Sequence, residues 1–217
     1  MYYKNRVDAG KKLAELLKKY SSQDVVVLAL SEGSCIVAAQ IAIELHSNVL
    51  LYLVKNIVLP NDNRITAAIS STGVFRFNDA FSVGEVEEIQ NEYRNYIEQR
   101  RIELNHEINV IVGKDGEVKK GLLRHKTVIV VSDGLVSGFS FRMAVDFLHT
   151  ININKIIAAT PIATIAAVDQ LHMMADELYV MGVPSNFMGV NHYYEDNLIP
   201  KTDRIFKMLL NIPLLWK

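Results

Sequence analysis

Between Thr127 and Ser140 the chain reads TVIVVSDGLVSGFS, and these residue types could hold a phosphate and a sugar. A β-branched run ends at Val131 and is followed by Ser132, Asp133 and Gly134. After Leu135 and Val136 come Ser137, Gly138, Phe139 and Ser140, and then a helical pattern. A loop between strand and helix aims successive backbone N–H groups, and the positive end of the helix dipole, at one place. Glycine at 138 permits close approach of an anion, and the Ser137 and Ser140 hydroxyls add donors. Asp133 supplies an acceptor suited to ribose hydroxyls, which donate. Taken alone, the same pattern also describes an ordinary strand-to-helix turn with an N-capping serine.

Several elements must position that loop. The runs Val25–Leu30, Val49–Val54, Thr127–Val131 and Ile156–Thr160 are dense in Val, Ile and Leu on both parities. That is the signature of strands buried on both faces of a parallel sheet. Between them, Val7, Leu13, Leu16, Leu17 and Tyr20 suit a helix from Asp8. Ile36, Ala39, Ile43 and Leu45 suit a second, and Met143, Val145, Phe147 and Leu148 a third. Such alternation predicts an α/β, doubly wound sheet. The middle of the chain breaks the rhythm. Ile65–Asn78, with Gly73 and alternating Val74, Phe75, Arg76 and Phe77, predicts a hairpin or extended flap. Val86, Ile89, Tyr93, Ile97 and Leu104 predict one long helix. Ile108–Val112 and Glu117–Lys119 flank Lys114-Asp115-Gly116, a hairpin signal. The expectation is a single domain over 1–217 with an inserted flap and long helix at about 60–120.

The bulk properties narrow the function. A chain of 217 residues, half of them hydrophobic, can bury one good core. A net charge of −1 with dispersed basic residues gives no electrostatic case for nucleic acid or a membrane surface. One cysteine, Cys35, excludes an intrachain disulfide and any multi-cysteine metal site. It reads as a small buried residue opening a helix. The longest apolar stretch, Ile156–Val168, is too short and too broken to span a bilayer, and the opening Tyr2, Tyr3, Lys4 and Arg6 lack the uninterrupted apolar core of a signal peptide. A cytoplasmic location is therefore expected. The histidines lack metal-site spacing, and His192 beside Glu195 and Asp196 reads as a surface cluster, so no protein metal site is expected. Neither a G-x-G-x-x-G turn nor a Walker lysine is present. The apolar tail Met208–Trp216 is expected on the core or at a subunit interface, which allows a homodimer.

The segment with its flanks resembles the phosphoribosyl-pyrophosphate loop of type I phosphoribosyltransferases. That loop has a hydrophobic strand, two acidic residues, three variable positions and Thr-Gly-x-Thr. Here Ser132 takes the first acidic position, Asp133 keeps the second, and Ser137, Gly138 and Ser140 retain the hydroxyls. Further stretches are similar to a bacterial branch of that family. Arg6-Val7-Asp8-Ala9-Gly10 matches its opening Arg-x-Asp-Ala-Gly, and Leu30-Ser31-Glu32-Gly33-Ser34 stands where the branch has Leu-Pro-Arg-Gly-Gly. Val37-Ala38 follows, then Lys55-Asn56-Ile57 in place of Arg-Lys-Ile. Gly189-Val190 and Tyr193-Tyr194-Glu195-Asp196 resemble the closing Ala-Val-Gly-x-Phe-Tyr-x-Asp.

The resemblance implies a type I phosphoribosyltransferase fold: a mainly parallel five-stranded sheet, helices on both faces and a small hood. It implies phosphoribose binding by Ser132, Asp133, Gly134, Ser137, Gly138, Phe139 and Ser140, with Asp133 on the ribose hydroxyls as the catalytic-site residue. Glu32, Gly33, Ser34 and Lys55 would lie at the pyrophosphate. Magnesium would enter only on the diphosphate of phosphoribosyl pyrophosphate. Departures from the pattern fall on the leaving-group side. Glu32 replaces an arginine, Asn56 a lysine and Ser132 an acid, Val136 stands where the purine branch has a base-directed acid, and Phe139 places a ring inside the phosphate loop. Three functions stay open: transfer of phosphoribose to an acceptor, non-catalytic sensing of a phosphorylated ribose or nucleotide, or an interaction scaffold with no ligand.

Overall fold

The computed structural model describes residues 2–113 and 118–215. In chain order the elements begin with α1 (Arg6–Leu17), β1 (Val25–Ala29), α2 (Glu32–Leu45) and β2 (Asn48–Leu51). Next come β3 (Val54–Val58), β4 (Ile65–Ser70), β5 (Phe75–Phe77), α3 (Val83–Glu92) and α4 (Arg94–Val112). The chain closes with β6 (Thr127–Val131), α5 (Phe139–His149), β7 (Lys155–Ile162), α6 (Ile165–His172), β8 (Glu177–Gly182) and α7 (Thr202–Asn211). They fall into two compact units: residues up to Leu51 with those from Lys119 onward, and Tyr52–Val118.

The first unit holds a five-stranded, all-parallel sheet in the order β2-β1-β6-β7-β8. Val25, Val27, Ala29, Ile129, Val131, Ile157 and Ala159 share one core cluster with Leu13 and Leu17 of α1, Ile41 of α2 and Ile205 of α7. The intervening Val26, Leu28, Val128 and Val130 point to the opposite face, and they too are buried. The handedness of crossovers explains how both faces are covered. The step from β1 through α2 to β2 runs one way along the sheet, whereas β6–α5–β7–α6–β8 runs the other. Right-handed crossovers then put α2 on one face and α5 and α6 on the other. The order reverses between β1 and β6, which lie in register with Ala29 opposite Val131. The loops leaving these two strands therefore diverge and open a crevice, the usual ligand position in such sheets.

The four apolar runs read from the sequence are neighbouring parallel strands, as expected, with two adjustments. The run Val49–Val54 is not one buried strand. β2 is an edge strand with an exposed Asn48 and half-buried Val49–Leu51, and Val54 begins a strand of the other unit. The fifth strand, β8, was not evident in sequence because its half-buried ELYVMG lacks a dense β-branched run.

In the second unit, β3, β4 and β5 form an antiparallel sheet in that order. The hairpin expected at 65–78 is β4–β5, turned at Gly73 with φ +79°, a conformation glycine adopts without strain. The single long helix is instead two. Ser82 and Glu85 form a capping box at the start of α3. Tyr93, at φ −111° and ψ 18°, leaves helical geometry and separates α3 from α4. Ile108–Val112 is not a hairpin arm but the last turns of α4, where buried Leu104 and Ile108 continue the helical stripe. The Lys114-Asp115-Gly116 turn lies outside the described residues. The expected apolar tail packs on the first unit's core through Met208 and Leu209 of α7; Trp216 lies outside the described residues. No helix among the described residues is long and apolar enough to cross a membrane.

Candidate functional site

Asp133 leaves β6 at the crevice, and its carboxylate lies across the first turn of α2. Oδ2 accepts Nε–H of Arg6 at 2.7 Å, and Oδ1 accepts the Ser31 and Ser34 hydroxyls, each at 3.1 Å. Ser31 is also the N-cap of α2, accepting the Ser34 N–H at 3.0 Å. The Asp133 N–H donates to the Ser34 hydroxyl at 3.2 Å. Gly33 makes this packing possible: a Cβ there would stand 2.8 Å from Arg6 Nε and closer still to the Asp133 carboxylate.

Arg6 opens α1 just after Asn5, whose side chain caps that helix by accepting the Asp8 N–H at 2.9 Å. Only 3% of Arg6 is exposed. Nη2 donates to Asn191 Oδ1 at 2.9 Å, and the guanidinium sits 4.6 Å above the Tyr194 ring. The Tyr194 hydroxyl in turn donates to the Asp133 carbonyl at 2.5 Å. Burial above all, then the charge of Asp133, holds that phenol well above its ordinary pKa. Nη1 of Arg6 is buried and has no hydrogen-bond partner among the described residues. Arg6 and Asp133 line a cavity of about 310 Å³ together with Gly189, Val190, Asn191 and His192. An unsatisfied buried donor of this kind costs about 1–3 kcal/mol, more for a charged group.

The other expected site residues lie on the loop after β6, in the first turn of α5, at the start of α2 and, for Lys55, in the second unit. Ser132 donates to the Gly134 carbonyl at 2.9 Å and accepts the Gly134 N–H at 3.2 Å, so its hydroxyl braces the turn. Gly138 is the N-cap of α5 and carries no side-chain cap; Ser137 Oγ meets the Phe139 N–H only at 3.4 Å. A Cβ on Gly138 would lie 2.7 Å from Gln170 Cβ, so α6 packs directly on the loop. Phe139, expected to intrude on the loop, is 3% exposed and part of the buried core. Ser140 is half-buried in the first turn of α5. Glu32 is the first residue of α2. Lys55 belongs to the second unit, opposite Ile69 in the β3–β4 ladder, with Asn56 next to it opposite Ala68.

The sequence profile of the phosphoribosyl transferase domain matches residues 2–195. The chain belongs to this family. A Mycobacterium tuberculosis protein provisionally named a phosphoribosyl transferase is 26% identical over 210 residues, covering 95% of this chain and 46% of that protein. The chain thus spans about half the length of the curated relatives it matches. The crystal structure of TT1426 from Thermus thermophilus superposes with a TM-score of 0.71 at 22% identity, covering 97% of this chain and 99% of that one. The parallel five-stranded sheet with flanking helices is the type I phosphoribosyltransferase fold.

The Asp133 network lies at Gly33 and Ser34, two of the residues that sequence reading expected at the pyrophosphate. The ground above Gly33, at the start of α2, is taken by the chain's own Arg6–Asp133 pair. The family implies magnesium, and the donor set tests whether the chain could hold one. Both Asp133 oxygens already accept hydrogen bonds, and no cluster of three or more His, Cys, Asp or Glu suited to a metal exists among the described residues. A magnesium ion taking the Asp133 carboxylate would have to displace its Arg6 or serine hydrogen bonds. Sequence reading missed Arg6, Ser31 and Asn191 as site residues. Arg6 was visible only as part of a motif. The usable signal was an arginine two residues ahead of Asp8-Ala9-Gly10, where the small Ala9 and Gly10 let a helix pack closely.

Proposed function

We propose that this phosphoribosyltransferase-like protein binds a phosphorylated ribose in the crevice between β1 and β6, and that its binding of the diphosphate leaving group is weakened. The single observation that carries the proposal is Arg6, which lines a cavity that Asp133 shares and whose buried Nη1 has no hydrogen-bond partner among the described residues. A ribose hydroxyl both accepts and donates, so it can accept from Nη1 while donating to a carboxylate or amide oxygen beside it. The 5′-phosphate would lie at Ser137, Gly138 and Ser140, against the N–H groups that begin α5.

The leaving-group side supports binding over transfer. Displacement at the anomeric carbon needs positive groups on the departing pyrophosphate. Here the loop after β1 offers Glu32, and the carboxylate of Asp133 lies over Gly33. Charges about 4 Å apart are worth on the order of 1–4 kcal/mol between bulk water and a protein surface, enough to invert a ligand ranking when arginine becomes glutamate. The family resemblance leaves Lys55 as the remaining cation for that group. We take both units as parts of one phosphoribosyltransferase-like domain, with 52–118 its inserted segment. A cytoplasmic setting, a homodimer and magnesium arriving only with a diphosphate belong to the same reading.

The test is calorimetric titration of wild type, Arg6→Met and Glu32→Arg with ribose 5-phosphate, a nucleoside monophosphate and phosphoribosyl pyrophosphate at fixed magnesium. Wild type should prefer the monophosphates, Arg6→Met should lose them, and Glu32→Arg should gain affinity for phosphoribosyl pyrophosphate. Tight, magnesium-dependent binding of phosphoribosyl pyrophosphate to wild type, unchanged in Glu32→Arg, would overturn the reading in favour of an active transferase.

A further inference from the structure

The second unit carries a groove unrelated to the Arg6–Asp133 crevice. It encloses about 660 Å³ between β5 and the junction of α3 with α4. Its chemistry has three parts. Phe75 and Phe77 are half-buried, share one face of β5 by strand alternation, and meet edge to face at 5.3 Å. Arg94, Ile97 and Arg101 follow one face of α4, with Ile97 buried as the floor and the Arg101 guanidinium 5.1 Å from the Phe75 ring. Arg76 lines the groove as well, paired at 3.5 Å with Asp79. Arg94 is exposed and has no ion-pair or hydrogen-bond partner among the described residues; Glu98, at 3.6 Å from Arg101, is the only acid in the lining. A chain of net charge −1 thus concentrates positive charge here.

The strand register supplies the decisive feature. Ser70 N–H donates to the Val74 carbonyl at 2.9 Å, and Asn78 N–H to the Thr66 carbonyl at 2.8 Å. Together with the Ala68–Arg76 pairing, these set the hydrogen-bonded positions of β5 at its even-numbered residues. The N–H and C=O groups of Phe75 and Phe77 therefore face away from β4, along the outer edge of the sheet. No backbone or side-chain partner meets them among the described residues. Two donor–acceptor pairs on alternate residues are what a pairing strand requires. A compact anion would use the arginines alone and leave both carbonyls unmatched.

We propose that this groove takes an extended acidic peptide segment of a partner protein, added as a fourth strand beside β5. Its backbone pairs with Phe75 and Phe77; of the alternate side chains on its groove side, a central apolar one packs on the two rings and the acidic ones flanking it face Arg94 and Arg101. The opposite occupant, a basic segment, is disfavoured by the same arginines.

The test uses the full chain and a fluorescently labelled, acetylated and amidated Glu-Thr-Val-Thr-Glu peptide, which puts both carboxylates and the valine on one face of a strand, read by anisotropy. Three companion probes are the Lys-for-Glu peptide, the same acidic peptide N-methylated on alternate amides, and inorganic phosphate as competitor. The acidic peptide should bind, and Arg94→Glu or Arg101→Glu should each weaken it by about tenfold or more, since reversal replaces attraction with repulsion. N-methylation, which keeps charge and removes pairing, should weaken it by a similar factor. Circular dichroism of the exposed-site variant Arg94→Glu checks that it folds. Equal binding of the N-methylated peptide, displacement by millimolar phosphate, or equal binding of the Lys-for-Glu peptide would each overturn the proposal.

Discussion

Gly33 has no side chain because none fits beneath the Arg6–Asp133 pair. Replacing it with alanine forces that pair to shift, and overpacking of this kind costs about 1–3 kcal/mol. For a chain of this size the melting temperature of Gly33→Ala should fall by roughly 3–10 °C. Affinity for ribose 5-phosphate should fall with it, because the displaced groups are the proposed ligand contacts. Thermal melts and titration on the one variant check both; an unaltered melt would show that the contact yields freely. Two positions along, Cys35 is buried, and that burial above all pushes its thiol up to about 12, with Glu32 and Asp133 adding repulsion. Ellman's reagent at about pH 8 should leave the native thiol untouched and react with one equivalent in denaturant.

At the scale of elements, two serine caps separate stability from binding. Ser82 caps α3 through a capping box, and Ser82→Ala should cost about 1 kcal/mol with ribose 5-phosphate affinity unchanged. Ser31 caps α2 but also donates toward Asp133 Oδ1. Ser31→Ala should cost a similar stability and weaken the ligand too; equal affinities in the two variants would detach the cap from the site. Strands β1, β6 and β7 of the first unit were legible because burial on both faces writes itself as unbroken runs of Val, Ile and other small apolar residues. The break at Tyr93 was not, since Val86, Ile89 and Ile97 hold the same helical spacing across it. The edge strand β8 was equally silent, because an edge needs fewer apolar residues. At the candidate site, Asp133 was legible as an acid at the end of a buried strand. Arg6 was not, because burying a guanidinium depends on Tyr194, Asn191 and Asp133 meeting from distant parts of the chain.

For the whole molecule, buried neutral acids set the alkaline limit. Cys35 moves from an ordinary 9.0 to about 12, Tyr3 from 10.0 to about 12 and Tyr194 upward as well, burial being the leading cause in each. These groups ionise in the unfolded chain before they ionise in the folded one. Their contribution is therefore complete below about pH 9 and is lost as pH climbs through the folded-state values. Denaturant midpoints measured from about pH 7 to pH 11 should stay level and then fall. The replacement Cys35→Ala should delay the onset. A midpoint that rises above about pH 9 would contradict the burial of these groups.

The Arg6 contacts span very unequal stretches of chain: 127 positions to Asp133 and 185 to Asn191. Each closes a long loop, and contacts of that separation form late because their entropy is lost before other interactions offset it. Secondary structure can thus return during refolding while the crevice is still missing one wall. Capture of the proposed ribose ligand would then mark the end of folding, because a chain whose Asn191 has yet to dock has its sheet but an incomplete Arg6–Asp133 crevice.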